Sequence, residues 1–519
     1  MNQSIARRFK LSHTFCFLAA VAVIAPGAVG RAAEAGSPPA PQPAYATALP
    51  KPAAPDNPLS LFDGKLVFDV QERMRVEERD NNFDFNNGAN AATDDLFVLN
   101  RFRLGMLARP LDFITVYGQG QDSRELASRR KTVPFVLGSE GDNPFDLRQG
   151  WVEFGNLKKF PLSLRIGRQE LLYGDERLVG NFEWNNFART FDAVKLHYEN
   201  PDARLWVDGF AGHVVTIENM GPALNTGFNL DDSNWNDTLA GLYASTTLLP
   251  VQTTDLYLFY RHKLGNNPVY TDSIGSAAAR AYDIAQEVFT MGFRIKSTPG
   301  KLSGFDYEAE GAYQVGRSAG QFGATLPGAG PQMLEHTAFA GHVGAGYTWE
   351  KWDWKPRLGV EYSIASGDSD PNDNTDQSFL NLFPTNHKFY GYMDFFAWKN
   401  VHNPALSLKL TPYQDPKAAW RAFTVQLDGH AFWLYTNEDA WYRANAVTRV
   451  RPLTATARNA NSFVGEEIDL TLAYSPWKFL KLQAGYSRFF AGAYVSQTAT
   501  GANGGSDANF GYLQATVTF

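Results

Sequence analysis

Apolar and polar residues alternate along this chain in segment after segment, and that period of two is the strongest constraint on its fold. Counting back from the last residue, Phe519, Val517, Ala515 and Leu513 fall on one face, and Thr518, Thr516, Gln514 and Tyr512 on the other. In 466–474, Ile468, Leu470, Leu472 and Tyr474 oppose Glu467, Asp469, Thr471 and Ala473. In 422–433, Phe423, Val425, Leu427, Ala431 and Trp433 oppose Thr424, Gln426, Asp428 and His430. In 335–349, Val343, Ala345, Tyr347 and Trp349 oppose His342, Gly344, Gly346 and Thr348. In 65–77, Leu66, Phe68, Val70 and Val76 oppose Asp69, Gln71, Arg73, Arg75 and Glu77. A strand patterned this way separates an apolar from a polar environment.

Eighteen such segments are expected, near 63–79, 96–109, 111–124, 146–157, 162–171, 191–199, 203–214, 237–249, 253–264, 287–298, 304–316, 335–350, 354–366, 400–412, 419–435, 465–477, 479–490 and 509–519. The links between them keep a parity. After every even segment the link is short and holds turn residues, as in Arg109-Pro110-Leu111, Asn200-Pro201-Asp202 and Ser475-Pro476-Trp477. After every odd segment it is long. A β-sandwich has no reason to keep that parity; a membrane barrel does, with short periplasmic turns and long extracellular loops. The expected fold is therefore all-β, a transmembrane antiparallel barrel of about 18 strands. An even count leaves both ends of the barrel in the periplasm. A soluble propeller or solenoid would need a sequence repeat of fixed length, and none is present.

Composition agrees. Only 19% of the 519 residues are charged, against about 25% in ordinary globular chains, while 14% are aromatic. That much apolar surface excludes disorder. With 47 Lys+Arg against 54 Asp+Glu, a nucleic-acid partner is not expected. Beyond residue 30 no run of 18 apolar residues exists, so any membrane crossing has to be made by strands. A barrel of this size leaves an aqueous channel, whereas eight strands would fill with side chains.

The ends add organisation. Arg7, Arg8 and Lys10 precede a short apolar run from Leu11 to Ala25, and Ala33-Glu34-Ala35 fits a cleavage pattern, so residues 1–35 read as a cleaved signal peptide. The single cysteine, Cys16, lies within it, preceded by His13-Thr14-Phe15 and not by a lipidation motif, so no disulfide is expected afterwards. Ser37 to Pro58 holds eight prolines, and residues 36–60 read as a proline-rich periplasmic linker before a barrel over 61–519. The terminal strand ending in phenylalanine resembles the C-terminal assembly signal of bacterial outer-membrane barrels.

If the apolar faces meet lipid, the alternate positions face the lumen. They include Arg73, Arg75, Arg101, Arg103, Arg165, Lys195, Arg261, Arg294, Arg357 and Lys481, with Asp69, Glu77, Glu308, Glu310, Glu361, Asp428 and Asp469 as acidic company. Net charge governs solubility, but the local field of a pore governs what enters it. Two roles remain open for these arginines: a selectivity filter for an anionic solute, or Arg–carboxylate networks that hold the wall. No zinc-protease, phosphate-loop or nucleophile-elbow motif occurs, and no cofactor is expected. His197, His342 and His430 read as polar wall positions. Asp368, Asp370 and Asp373 begin like a calcium loop. They lack the glycine at the sixth position, and Phe379 stands where the bidentate glutamate belongs. A solvated external loop is the plainer reading.

The stretch Gly167-Arg168-Gln169-Glu170-Leu171-Leu172-Tyr173-Gly174-Asp175-Glu176-Arg177-Leu178 resembles the alginate export family of outer-membrane proteins. So do Trp184-Asn185-Asn186, Arg189 through Val194, Asn386 through Asp394, Gly465 through Leu470 and Gly485 through Gly492, in family order. The resemblance implies a monomeric eighteen-stranded barrel secreting an anionic uronate polysaccharide through an arginine-lined, loop-plugged constriction. It implies a periplasmic helical-repeat scaffold protein as partner. It adds Arg168 and Arg189 to the polymer-contact candidates Arg73, Arg101, Arg103 and Arg165, although strand parity alone does not put Arg168 in the lumen. The alternatives are a general or small-solute anion-selective porin and, from another class, a barrel enzyme.

Overall fold

The computed structural model describes residues 59–519, apart from residues 83, 88–93, 129–141, 218–229, 265–267, 271–279, 283–284, 320–332, 413–421 and 500–503. The expected signal peptide and nearly all of the linker lie outside the described residues.

Eighteen long strands form one closed antiparallel sheet. They are β1 (Leu66–Asp80), β2 (Asp95–Leu111), β3 (Ile114–Leu126), β4 (Asn143–Gly155), β5 (Leu162–Gln169), β6 (Phe191–Asn200), β7 (Leu205–Thr216), β8 (Asp232–Thr246) and β9 (Gln252–Lys263). The second half holds β10 (Gln286–Ser297), β11 (Phe305–Ser318), β12 (Leu334–Thr348), β13 (Arg357–Ala365), β14 (Val401–Leu410), β15 (Phe423–Trp433), β16 (Phe463–Trp477), β17 (Leu480–Ala491) and β18 (Ala508–Thr518). Each strand pairs with its sequence neighbour, and the sheet closes where β1 meets β18, from Gln71↔Thr518 to Asp80↔Asn509. Closure leaves no exposed edge, which is what a sheet in hydrocarbon requires.

The expected strands and the short-long rhythm are both present. The described turns, among them Asp112-Phe113 and Lys478-Phe479, gather at one end. The described loops, among them 170–190 and 366–400, gather at the other. Boundaries shift by up to five residues, most at β8, and two expected turns prove to be strand ends: Arg109-Pro110-Leu111 closes β2 before the turn Asp112-Phe113, and Ser475-Pro476-Trp477 closes β16 before the turn Lys478-Phe479, each proline lying at a register irregularity. β8 begins five residues before the expected 237, because a bulge after His213 lets Val215 and Thr216 pair with Ser233 and Asp232. It ends at Thr246, since the apolar pattern runs on through Leu248 and Leu249 while the chain has already turned. Among the described residues no helix is long and apolar enough to cross a membrane, and the α-helical turns Ala455–Arg458 and Ala493–Gln497 sit in loops.

The outer face carries an apolar band: Met74, Phe102, Leu104, Val194, Leu242, Phe293, Val343, Leu406, Ile468 and Leu513 are all exposed. The inner face is not uniformly polar, which corrects the simple division into lipid side and polar side. Trp206, Phe210, Tyr243, Tyr257 and Phe259 of β7–β9 are inward and buried, and Tyr173 stacks on Tyr243 at 4.7 Å between ring centres. The cause is that long loops fold back into the barrel and need an apolar surface to pack on. The 170–190 and 366–400 loops are joined by a parallel bridge, Val179↔Phe383, with Gly180 N–H to Phe383 O at 2.9 Å and Thr385 N–H to Glu176 O at 2.9 Å. Phe396 stacks on Phe432 of β15 at 3.7 Å, and Trp398 and Trp441 are fully buried. The result is a barrel with a packed plug towards the loop end.

Candidate functional site: an arginine cluster closed by a loop carboxylate

On β1 and β2, Arg73 and Arg101 are directly paired across the sheet, and Arg103 follows two residues on along the same inward face. A fourth guanidinium comes from β4. There the register slips between Gln119 and Gly120, so that Gln119 faces Gln149, Gly120 faces Leu147, and Arg148 is the extra residue between them. Such a bulge re-aims a side chain, and Arg148 and Gln149 are both buried while Leu147 stays outside. Arg148 was not among the expected lumen residues, because counting by twos fails across a bulge.

These four guanidiniums converge on one residue of the 170–190 loop. Arg103 donates to both carboxylate oxygens of Glu183, at 2.8 Å from Nη1 and 3.1 Å from Nη2. Arg101 Nη2 makes a short contact to Oε1, and Arg148 Nη2 lies 3.6 Å from Oε2. Arg73 Nη1 donates to the Glu183 carbonyl at 2.8 Å, and Arg75 Nη1 to the Trp184 carbonyl at 2.8 Å. Burial alone would raise the Glu183 carboxyl, but Arg101, Arg103, Arg148 and Arg73 overcome it and hold the group well below the usual carboxylate range. Arg148 also reaches Glu170, so four cations share two carboxylates. The Nε donors of Arg73, Arg101 and Arg148 are buried with no protein acceptor.

The other expected residues are distributed around this cluster. Arg75 pairs with Glu77 at 2.6 Å and lies 3.8 Å from the Trp184 ring centre. Arg165 pairs with Glu153 and covers Trp151. Lys195 lies 3.7 Å from Asp208. Arg261 forks onto Asp237 at 2.9 and 2.6 Å, Arg294 bridges Asp175 and Asp255, and Arg357 forks onto Asp306 at 2.8 and 2.6 Å. Arg189 belongs to the plug. It donates to Gly180 O and Pro384 O and faces Phe182 and Phe383, and burial among these groups pushes it down to about 10. Arg168 is not brought to the lumen. It lies on the outward side of β5 with Ile166, opposite in parity to Arg165, and forks onto Asp192 at 2.9 and 3.0 Å. Lys481 is exposed near the turn end of β17.

Glu361 lies with Glu308 and His342 around Gly344, their ligand atoms within 4.8 Å of one another. Glu308 is already engaged by Lys296 at 2.8 Å, His342 at 2.8 Å and Arg177 at 3.3 Å. A small open cavity borders this acidic wall, lined by Glu361, Tyr392, Asp428 and His430 among others. Behind it, both oxygens of Asp469 and one of Glu467 are buried with no protein donor. The calcium candidates are not brought together. Asp370 and Asp373 are exposed and accept from Asn372 N–H and Thr375 N–H, whereas Asp368 is buried. Burial and the neighbouring Asp376 and Asp439 push the Asp368 carboxyl up to about 7.

A model of the alginate export family matches residues 65–507. No curated protein matches the chain. Among solved structures, it is similar to OccD3 (OpdP) from Pseudomonas aeruginosa, with a TM-score of 0.52 and 12% identity over 93% of this chain and 99% of that one. It is likewise similar to OccAB1 from Acinetobacter baumannii, with a TM-score of 0.52 and 12% identity over 88% and 96%. For the outer membrane protein OprD from Pseudomonas aeruginosa the TM-score is 0.49, at 12% identity over 88% and 93%.

Proposed function

The chain belongs to the alginate export family, and on that premise we propose that this outer-membrane channel passes an anionic polysaccharide, a polyuronate of the alginate kind, along an arginine-lined path. The observation that carries the reading is the excess of guanidinium over carboxylate where Arg73, Arg101, Arg103 and Arg148 meet. Planar guanidinium forks match the carboxylate repeated on every uronate unit and stay charged at any working pH. Arg75, Arg165 and Lys195, paired with Glu77, Glu153 and Asp208, and Arg261, Arg294 and Arg357, paired with Asp237, Asp255 and Asp306, brace the wall around the cluster.

In this reading the turns face the periplasm and the loops the exterior. Residues 1–35 direct export, residues 36–60 tether the barrel on the periplasmic side, the barrel works as a monomer, and a helical-repeat scaffold is its periplasmic partner. Planar-bilayer conductance of the purified protein tests it: anion selectivity, with block by oligouronates and not by neutral dextran, is expected. Cation selectivity sinks it. Anion selectivity without oligouronate block favours the second reading, a small-solute anion porin, which the plug filling much of the loop end also supports.

A further inference from the structure

Glu183 holds the position that a ligand's carboxylate would take. Its side chain is 41% exposed, yet the arginines that grip it are sealed: Arg101 is 1%, Arg148 3% and Arg103 7% exposed. The Glu183 side chain is therefore the most accessible member of this cluster. Three guanidiniums this deeply buried need a counter-charge at all times, because an uncompensated buried cation is strongly destabilising.

The backbone at Glu183 is pinned independently of its carboxylate. Arg73 holds the Glu183 carbonyl at 2.8 Å and the Asn185 carbonyl at 3.2 Å, Arg75 holds the Trp184 carbonyl, and Phe182 N–H donates to Thr385 Oγ1 at 3.1 Å. The carboxylate can thus leave by side-chain rotation alone, with the loop in place. Arg101 Nη1 adds to this backbone grip, donating to the Glu183 and Asn185 carbonyls at 3.3 Å each, so of the three guanidiniums Arg103 and Arg148 meet Glu183 through its carboxylate alone.

We propose that Arg101, Arg103 and Arg148 form a carboxylate-exchange site, in which Glu183 is the resident ligand and yields to one carboxylate of a passing solute at a time. The proposal deepens the channel reading above and rests on it for the ligand, a uronate. Exchange keeps the number of anions on the cluster constant. Entry and exit are then close to balanced, as a conducting site requires: binding strong enough to admit and weak enough to release.

The test compares wild type, Glu183→Gln and Glu183→Asp in planar bilayers, with block by an oligouronate and by monomeric glucuronate. With the competitor neutralised, oligouronate block in Glu183→Gln should tighten and its dwell time lengthen about tenfold, the equivalent of one charge-assisted hydrogen bond returned to the ligand. Glu183→Asp keeps the charge and shortens the reach. It should fall between the two, and it serves if the Gln protein does not fold, as judged by heat-modifiable gel mobility. Tightening for the oligomer alone assigns the site to the polymer; tightening for glucuronate as well assigns it to small acids. Block that is the same in all three proteins overturns the proposal and leaves the channel reading standing. Absence of block in every protein overturns both.

Discussion

Reversing two charges in the arginine cluster gives the sharpest check on the basic wall. Arg101→Glu with Arg103→Glu changes its charge by four units. For an ion passing at roughly 6 Å in lumen water, each unit is worth about 0.7 kcal/mol. A Debye length of about 8 Å at physiological salt cuts that by about half. Four units then come to about 1.3 kcal/mol, or about tenfold per ion. Anions lose what cations gain, so the anion-to-cation permeability ratio should shift by about two orders of magnitude. Reversal potentials under a salt gradient read this directly. Arg101→Gln with Arg103→Gln changes only two units and should shift the ratio by about tenfold. The two shifts together test for electrostatics, because the logarithm of the effect should scale with charge. A ratio that stays at the wild-type value in both proteins, with heat-modifiable mobility retained, would refute the placement of these arginines on the conducting path.

Arg168→Gln should leave the permeability ratio unchanged, because Arg168 faces outward onto Asp192; a loss of anion selectivity would show that the path runs on that side. Gly167→Ala should reduce folded yield and melting temperature. Gly167 has φ +125°, and an added Cβ would lie 2.2 Å from the Gly150 carbonyl oxygen, strain worth about 1–3 kcal/mol before the clash is counted; a normal melt would refute it. Asp368 yields a pH effect. Its carboxyl is raised to about 7 in the folded state, so the folded protein binds that proton more tightly than the unfolded chain. Stability should therefore fall as pH rises from about 4 towards 7. The melting temperature should be higher at the acid end of that window than at the neutral end, and Asp368→Asn should remove the Asp368 contribution to that slope. An identical pH profile in the variant would refute it.

The wall was legible in the sequence because period two survives wherever one face meets lipid, as in Met74, Leu242 and Ile468. The short-long rhythm was legible from the spacing of the alternating segments, although two of the expected proline turns prove to be strand ends beside Asp112-Phe113 and Lys478-Phe479. The plug was not. Phe379, Phe396 and Trp398 are buried in an irregular loop whose apolar residues follow no period, and their partners are inward aromatics such as Phe432 that local pattern reading does not connect to them. Arg148 was hidden by the bulge beside it. Glu183 was hidden for a different reason. It is a single glutamate just before a family-like Trp-Asn-Asn stretch, and only the return of that loop into the barrel brings it to arginines eighty residues earlier in the chain. Arg168 shows the converse: motif membership marked it, but strand parity was the better guide to its direction.

The seam between β1 and β18 has a consequence for how such a chain is assembled. Its ten register pairs join residues from opposite ends of the barrel, so the seam is the last contact that synthesis can permit. Until it forms, β1 and β18 each carry a row of unpaired N–H and C=O groups, and in hydrocarbon every such group costs several kcal/mol. Partial insertion, strand by strand, is therefore uphill until the final hairpin is in place. The productive route keeps the growing sheet outside the apolar layer, or lends its first strand a temporary partner, until Ala508–Thr518 can be exchanged in. Assembly of this barrel is on that account a single late commitment, whose barrier is set by the ordering of the whole chain between its first strand and its last.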